Sequence, residues 1–92
     1  MIGLTSSVSA ELAQHGIRVN IVCPGIIDTP MHRRGRALFG DALYDQMIAT
    51  SIHMRRAGLP EEIASITTYL ASRRNGYVTG ATVNVDGGSD FV

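Results

Sequence analysis

Lysine is absent from this sequence of 92 residues, cysteine occurs once, and no apolar run is long enough to cross a bilayer. Cys23 therefore has no partner for an internal disulfide, and no segment resembles a signal peptide. Together these absences favour a reducing cytoplasm. The apolar surroundings of Cys23 indicate a small hydrophobic side chain rather than a reactive thiol.

The sequence also has no net charge and none of the common ligand-binding motifs. Eight basic residues balance eight acidic ones, so we expect neither nucleic acid nor an acidic membrane as a partner. The patterns G-x-G-x-x-G, the P-loop and G-x-S-x-G do not occur. His15, His32 and His53 fall in different predicted elements, and no cluster has the spacing of metal ligands, so we expect no metal site.

The first fifteen residues predict a helix with one apolar face. Apolar residues recur at i, i+3, i+7 and i+11, and Gly16 stands where a helix-ending glycine is expected. The apolar face consists of Met1, Leu4, Val8 and Leu12. Small residues on the other faces would let a second helix approach closely.

A strand is predicted next, over residues 17–23, where apolar residues alternate in IRVNIVC. Pro24 and Gly25 end this strand abruptly, so the loop that follows lies at the carboxyl end of a strand, where open α/β sheets bind ligands. We interpret Asn20 as a structural hydrogen-bonding residue and Arg18 as a charge that reaches solvent.

A helix and a second strand are predicted in the last third of the sequence. Pro60 has the place of a first helical residue in LPEEIASITTYLAS, and Val83 and Val85 alternate with Asn84 in ATVNVDGG. Because a helix connects the two strands, they should be parallel. Two strands are few for a parallel sheet, so the chain is interpreted as the end of a doubly wound α/β domain that is marginally stable alone.

Residues 31–56 between these elements are interpreted as a helical flap on small hinges. Gly35, Gly40 and Gly58 punctuate the region, and Asp41 is expected to cap a helix. The predicted apolar face of that helix is formed by Leu43, Met47 and Ile48, with Tyr44 beside it.

Three stretches in this order resemble the C-terminal part of the short-chain dehydrogenase/reductase family. They are IGLTSSVSAELAQHGIRVNIVCPGIIDTPM, RRAGLPEEIASITTYLAS and YVTGATVNVDGG. The resemblance implies that residues 1–92 are the C-terminal portion of one Rossmann-like, NAD(P)-binding domain with its last two strands. In this family the Pro-Gly loop closes over the nicotinamide end of NAD or NADP. The corresponding cofactor-binding residues here are Pro24, Gly25, Ile27 and Thr29.

The residue types suit that role. A carboxamide needs a backbone donor and acceptor, which Ile27 offers, and Thr29 adds a hydroxyl. Pro24 and Gly25 let the chain turn and approach the ring without an intervening side chain. Residues that distinguish NAD from NADP follow the second strand of such folds and are not in this sequence, so both cofactors stay open.

The flap corresponds to the family's substrate-binding region. Apolar residues expected to line a substrate pocket are Met31, Leu38, Phe39, Leu43, Tyr44 and Met47, and the alternative is that they seat the flap on the core. Arg33, Arg34 and Arg36 form either a contact for an anionic substrate or a solvated face.

The family's catalytic serine and its Tyr-x-x-x-Lys motif are not in this chain, which has no lysine. We therefore expect a segment of an NAD(P)-dependent oxidoreductase that interconverts a small alcohol and carbonyl, without activity of its own. The alternative is a truncated, non-enzymatic oligomerisation module, since this family commonly builds homodimers and homotetramers through the corresponding first helix and last strand.

Overall fold

The computed structural model describes residues 2–89, which form four helices, a 3-10 turn and a sheet of two strands. In chain order these are α1 (Ile2–Leu12), the 3-10 turn Ala13–His15, β1 (Ile21–Pro24), α2 (Pro30–Phe39), α3 (Asp41–Ser51), α4 (Pro60–Ala71) and β2 (Thr82–Val85). The helices and strands predicted from periodicity are all present, and α2 is an additional element. Met1, predicted on the apolar face of α1, lies outside the described residues.

The two strands are parallel, as predicted, with Ile21 opposite Thr82 and Pro24 opposite Val85. β1 is shorter than the predicted strand because Val19 and Asn20 bond to the loop before β2 instead. Val19 donates its N–H to the hydroxyl of Thr79 at 3.0 Å and accepts from the N–H of Gly80 at 2.7 Å. The C-terminal ends of both strands therefore lie side by side.

The sequence-based predictions for two polar residues before β1 compare differently with the structure. Asn20 is the predicted structural residue, since it donates to the carbonyl of Val78 and accepts from the N–H of Ala81, both at 3.0 Å. The prediction for Arg18 was wrong. Its guanidinium is half-buried and donates to the carbonyls of Leu70 and Ser72, so it binds the C-terminal end of α4 rather than solvent.

The predicted apolar face of α1 is only partly correct. Leu4 is 69% exposed, whereas Val8 and Leu12 are half-buried. The buried residue of α1 is Ser9, whose hydroxyl is 3.1 Å from that of Thr79. α1 ends at Leu12, and the 3-10 turn that continues it stops at Gly16, the predicted end of the helical segment. Gly16 adopts a φ of +73° that favours glycine.

The predicted flap is a helical hairpin of α2 and α3 joined at Gly40, whose φ is +85°. Two details of the prediction were wrong. Gly35 lies inside α2 rather than at a hinge, and Asp41 does not cap α3 because its carboxylate accepts from Arg36 instead, at 2.8 Å.

The main core lies under α3 and consists of Tyr44, Ile48 and Ile52. Leu43, predicted to share the buried face, is 60% exposed, because the helix turns Tyr44 inward. α4 begins at Pro60 as predicted and buries Leu70. Within residues 2–89, no helix combines the length and apolarity that spanning a membrane requires.

Candidate functional site

The loop after β1 meets the loop after β2 at the C-terminal edge of the sheet. Gly25 donates its N–H to the carbonyl of Val85 at 3.0 Å. A Cβ on Gly25 would lie 2.7 Å from the Cβ of Asp86 and 2.8 Å from its Cα. Glycine is thus required for the approach of Asp86, a reason different from the predicted approach to a nicotinamide ring.

Ile27 forms an isolated parallel bridge with Gly58. The bridge uses the neighbours of Ile27: Gly58 donates to the carbonyl of Ile26 at 2.9 Å, and Asp28 donates to the carbonyl of Gly58 at 2.8 Å. In this geometry the amide and carbonyl of Ile27 point away from Gly58. Neither group makes a hydrogen bond within the described part of the chain, so one donor and one acceptor stay available side by side.

A Cβ at Gly58 would lie 2.8 Å from Cδ1 of Ile27, so the end of that flexible side chain would have to shift. In the sequence, Gly58 is only one of three glycines that interrupt the flap region. Its pairing with Ile27 joins residues 31 positions apart, and no local pattern indicates such a contact.

Thr29 begins helix α2. Its hydroxyl oxygen accepts from the N–H of His32 at 3.2 Å, and Pro30 occupies the first helical position. Thr-Pro is a recognised helix-start signal, so this helix could have been predicted. The hydroxyl still has its proton to donate, because capping uses only an acceptor lone pair.

Asp28, between these two residues, forms an ion pair with Arg33. The Nε–Oδ1 and Nη2–Oδ2 distances are 2.9 and 3.4 Å. The hydrogen bond from Arg33 lowers the pKa of Asp28, and the bond to Asp28 raises the pKa of Arg33. Asp28 therefore anchors α2 beside the Ile27 segment.

A cavity of about 640 Å³, which we call the apolar cavity, opens between α2 and α3. Its wall includes Ile26, His32, Phe39, Leu43, Tyr44 and Met47. Four of the six residues predicted for a substrate pocket are among them, and their role stays a prediction. Met31 and Leu38 are 76% and 84% exposed and lie outside, because their spacing of seven puts both on one face of α2, about 100° around the helix from the face of His32 and Phe39.

Tyr44 and His32 form a polar pair at the edge of the apolar cavity. The Tyr44 hydroxyl is hydrogen-bonded to the imidazole of His32, and the rings meet edge to face with centroids 4.8 Å apart. Cζ of Arg36 lies 5.1 Å from the Tyr44 ring centroid. The family resemblance puts Tyr44 among the expected pocket residues, but nothing in the sequence indicates His32 as its partner.

A second cavity of about 370 Å³ lies on the other side of this pair, since His32 and Tyr44 line both. We call it the arginine cavity, because its wall includes Arg33, Arg36, Arg55 and Arg56, with Asp28 and Asp45. Arg36 binds Asp41 and Asp45 at 2.8 and 2.7 Å. Arg34, considered as an anion contact with Arg33 and Arg36, is exposed and is not part of this wall.

Among the described residues that border the site, Glu62 has the carboxylate whose pKa is shifted most strongly. Arg56 donates to both its oxygens at 2.9 and 2.8 Å, and the N–H of Leu59 donates at 2.8 Å. These bonds lower the pKa of Glu62 from 4.5 to about 2. The carboxylate thus ties the loop that holds Gly58 to the start of α4.

We expect Glu62→Gln to flatten the pH dependence of stability in acid. Because the folded-state pKa is depressed, the stabilisation by Glu62 is complete above pH 4.5 and is lost as the pH falls towards about 2. Unfolding free energy measured across that range should therefore change less in the variant. Glu61→Gln is the matched control, since its carboxylate makes no ion pair within residues 2–89; an equal flattening by both variants would contradict this assignment.

These features define a class: an α/β protein in which loops meet at the C-terminal ends of parallel strands, the edge where open α/β sheets generally bind ligands. A family model described as Enoyl-(Acyl carrier protein) reductase matches residues 1–90. The chain belongs to the short-chain dehydrogenase/reductase family. The resemblance and the Rossmann-like fold class inferred from the sequence are confirmed.

Curated relatives are similar along nearly the whole chain. "Short-chain dehydrogenase anuF" of Penicillium roqueforti is 44% identical over 89 residues, which cover 97% of this chain and 32% of the relative. The "(3R)-3-hydroxyacyl-CoA dehydrogenase" of Canis lupus familiaris is 44% identical over 88 residues, which cover 96% and 32%. This chain therefore spans about a third of the length of the relatives it matches.

Solved structures superimpose closely. YwfH, an NADPH dependent reductase involved in bacilysin biosynthesis, gives a TM-score of 0.86 at 35% identity, covering 96% of this chain and 35% of YwfH. The 3-oxoacyl-[acyl-carrier protein] reductase of Brucella melitensis gives 0.82 at 38% identity, covering 96% and 31%. The shared architecture is that of Rossmann-fold reductases.

Proposed function

We propose that this chain supplies the nicotinamide-binding edge and the substrate flap of an NAD(P)-dependent oxidoreductase that interconverts a small alcohol and carbonyl. Residues 1–92 would belong to one NAD(P)-binding domain, with residues 31–56 as its flap. The observation that carries the proposal is the unpaired amide and carbonyl of Ile27 at the strand edge.

A carboxamide fits these two groups. Its NH₂ donates to a carbonyl and its oxygen accepts from an N–H, which is the pair that Ile27 presents. Thr29 adds a hydroxyl proton two residues later, while its oxygen caps α2. Bound NAD or NADP would supply the hydride chemistry, and the task of these residues would be to orient the ring.

The proton-transfer step needs groups that this chain does not contain. A tyrosine acting as general acid/base with its pKa lowered by a lysine requires the Tyr-x-x-x-Lys motif, and the sequence has no lysine. We propose that this chain binds and orients, while proton transfer belongs to other residues. The chain alone is then expected to be inactive.

The setting of the protein is also a proposal. The single cysteine is consistent with a reducing cytoplasm, and the exposed Ile2 and Leu4 of α1 support a homo-oligomer, dimer or tetramer, formed through that helix.

A chimera tests the cofactor role directly. In it this chain replaces the matching 35% of the NADPH dependent reductase YwfH. We expect the chimera to bind NADPH, and Ile27→Pro to weaken binding about fivefold, since one desolvated hydrogen bond contributes on the order of 1 kcal/mol. The bridge to Gly58 does not use the N–H of Ile27, so it is retained.

The matched control is Ile27→Val, which keeps the N–H and should keep the affinity of the parent chimera. NADPH fluorescence measures the dissociation constant, and the melting temperature reports whether the proline ring fits. Equal NADPH affinity in the two variants would show that the N–H of Ile27 does not bind the cofactor.

A further inference from the structure

Arg55 has an unusual backbone conformation for its residue type. Its φ is +58°, and every other positive φ among residues 2–89 belongs to glycine. A Cβ is disfavoured in this region, and residues kept there cluster at functional sites. Nothing in local turn chemistry calls for arginine where glycine or asparagine would fit better.

The loop after β2 holds Arg55 in this conformation. Gly87 and Gly88 accept hydrogen bonds from the N–H groups of Met54 at 3.0 Å and His53 at 3.1 Å, and Arg55 itself donates to the carbonyl of Ile52 at 2.9 Å. Ile52 is 2% exposed, so the segment is anchored in the core. These bonds fix the backbone at Arg55 before any ligand binds.

Arg55 also differs from the other arginines around it. In the arginine cavity, Arg33, Arg36 and Arg56 each bind a carboxylate. The two acidic side chains of the cavity wall, Asp28 and Asp45, are both engaged by these guanidiniums, as are Asp41 and Glu62 outside the wall. The guanidinium of Arg55 makes no hydrogen bond or ion pair within the described part of the chain, and its donors suit a phosphate or carboxylate.

The arginine cavity adjoins the apolar cavity. His32 and Tyr44 contribute to both walls, so a hydrophobic space and an unpaired cation lie on two sides of one hydrogen-bonded pair. A ligand that uses both would have an apolar part and an anionic group.

We propose that the flap binds an amphipathic anion, with its apolar chain in the apolar cavity and its phosphate or carboxylate on Arg55. Arg55 would then be the residue that recognises the anionic group of the substrate. This proposal rests on the proposed function only in assigning the flap to the substrate side of the site.

The test is direct binding of three probes to the chain by calorimetry: decyl phosphate below its micelle concentration, decanol and inorganic phosphate. We expect decyl phosphate to bind about tenfold more tightly than either other probe, because one charge-assisted hydrogen-bonded pair is added to the apolar contact. Arg55→Gln should remove that preference and leave decanol binding unchanged. Phe39→Ser should weaken both decyl probes.

Two further variants separate recognition from folding. Arg55→Gly removes the charge but suits the positive φ, so it should keep or raise the melting temperature while losing the preference for decyl phosphate. Arg34→Gln removes an exposed charge of α2 outside the cavity wall and should leave all three affinities unchanged.

The proposal is overturned if decyl phosphate and decanol bind equally, if inorganic phosphate matches decyl phosphate, or if Arg34→Gln loses as much as Arg55→Gln. No nicotinamide is present in this assay. Such a result would therefore remove the anion site while the Ile27 comparison in the chimera decides the cofactor role separately.

Discussion

Gly25→Ala is expected to lower the free energy of unfolding of the chimera by about 3 kcal/mol, at the upper end of the usual cost of overpacking. The added methyl would lie 2.7 Å from Cβ and 2.8 Å from Cα of Asp86. Since these atoms belong to or adjoin the backbone, no rotamer change relieves the contact. The loops after β1 and β2 would have to separate, which moves the Ile27 segment.

The same substitution at Gly35 is the matched control. Gly35 lies inside α2, and a Cβ added there would meet no atom within 4 Å beyond its own helix, so alanine should stabilise the helix by about 0.5–1 kcal/mol. Urea unfolding measures both changes, and NADPH affinity should fall only for Gly25→Ala. If Gly25→Ala left stability unchanged or raised it, as Gly35→Ala is expected to do, the approach of Asp86 would not require glycine.

The parts of the fold that the sequence predicts are those encoded by short-range patterns. Gly16 ends the 3-10 turn that continues α1, Pro60 begins α4 and the alternation around Val83 forms β2, because each signal acts within one turn or one strand. The parallel pairing of the strands also follows, since a connecting helix leaves few alternatives.

The errors concern partners distant in sequence. The sequence pattern assigns Arg18 to solvent because its own segment offers no acceptor, and the carbonyls of Leu70 and Ser72 that it binds are more than fifty residues away. Asp41 is of a residue type that commonly caps helices, but Arg36 competes for its carboxylate. Local propensity cannot weigh such competition, because it depends on how α2 and α3 are brought together.

The candidate site shows the same division. A Pro-Gly loop after a strand predicts the edge of the sheet at which a ligand binds, and Ile27 and Thr29 both lie in that loop. The available amide and carbonyl of Ile27 depend on the bridge to Gly58, and the constrained position of Arg55 depends on Gly87 and Gly88. Both are consequences of tertiary contacts, which explains why Arg55 is not among the predicted site residues.

Ile52→Ala is expected to lower the free energy of unfolding by about 3–4 kcal/mol. Ile52 is 2% exposed and packs with Tyr44 and Ile48, so truncation loses apolar contact and leaves a cavity. The described part of the chain buries only four large apolar side chains, so little else can compensate. The loss should also loosen Arg55, whose N–H is bonded to the carbonyl of Ile52.

Ile17→Ala is the matched control, because it removes the same atoms from a side chain that is 48% exposed, and it should cost less than about 1 kcal/mol. Amide hydrogen exchange measures the local opening free energies in both variants, including those of Met54 and Arg55. Loss of protection at these two amides in Ile52→Ala but not in Ile17→Ala would show that the core stabilises the segment that carries Arg55. If protection fell equally in both variants, Ile52 would not be the anchor of that segment, and the fixed position of Arg55 would need another cause.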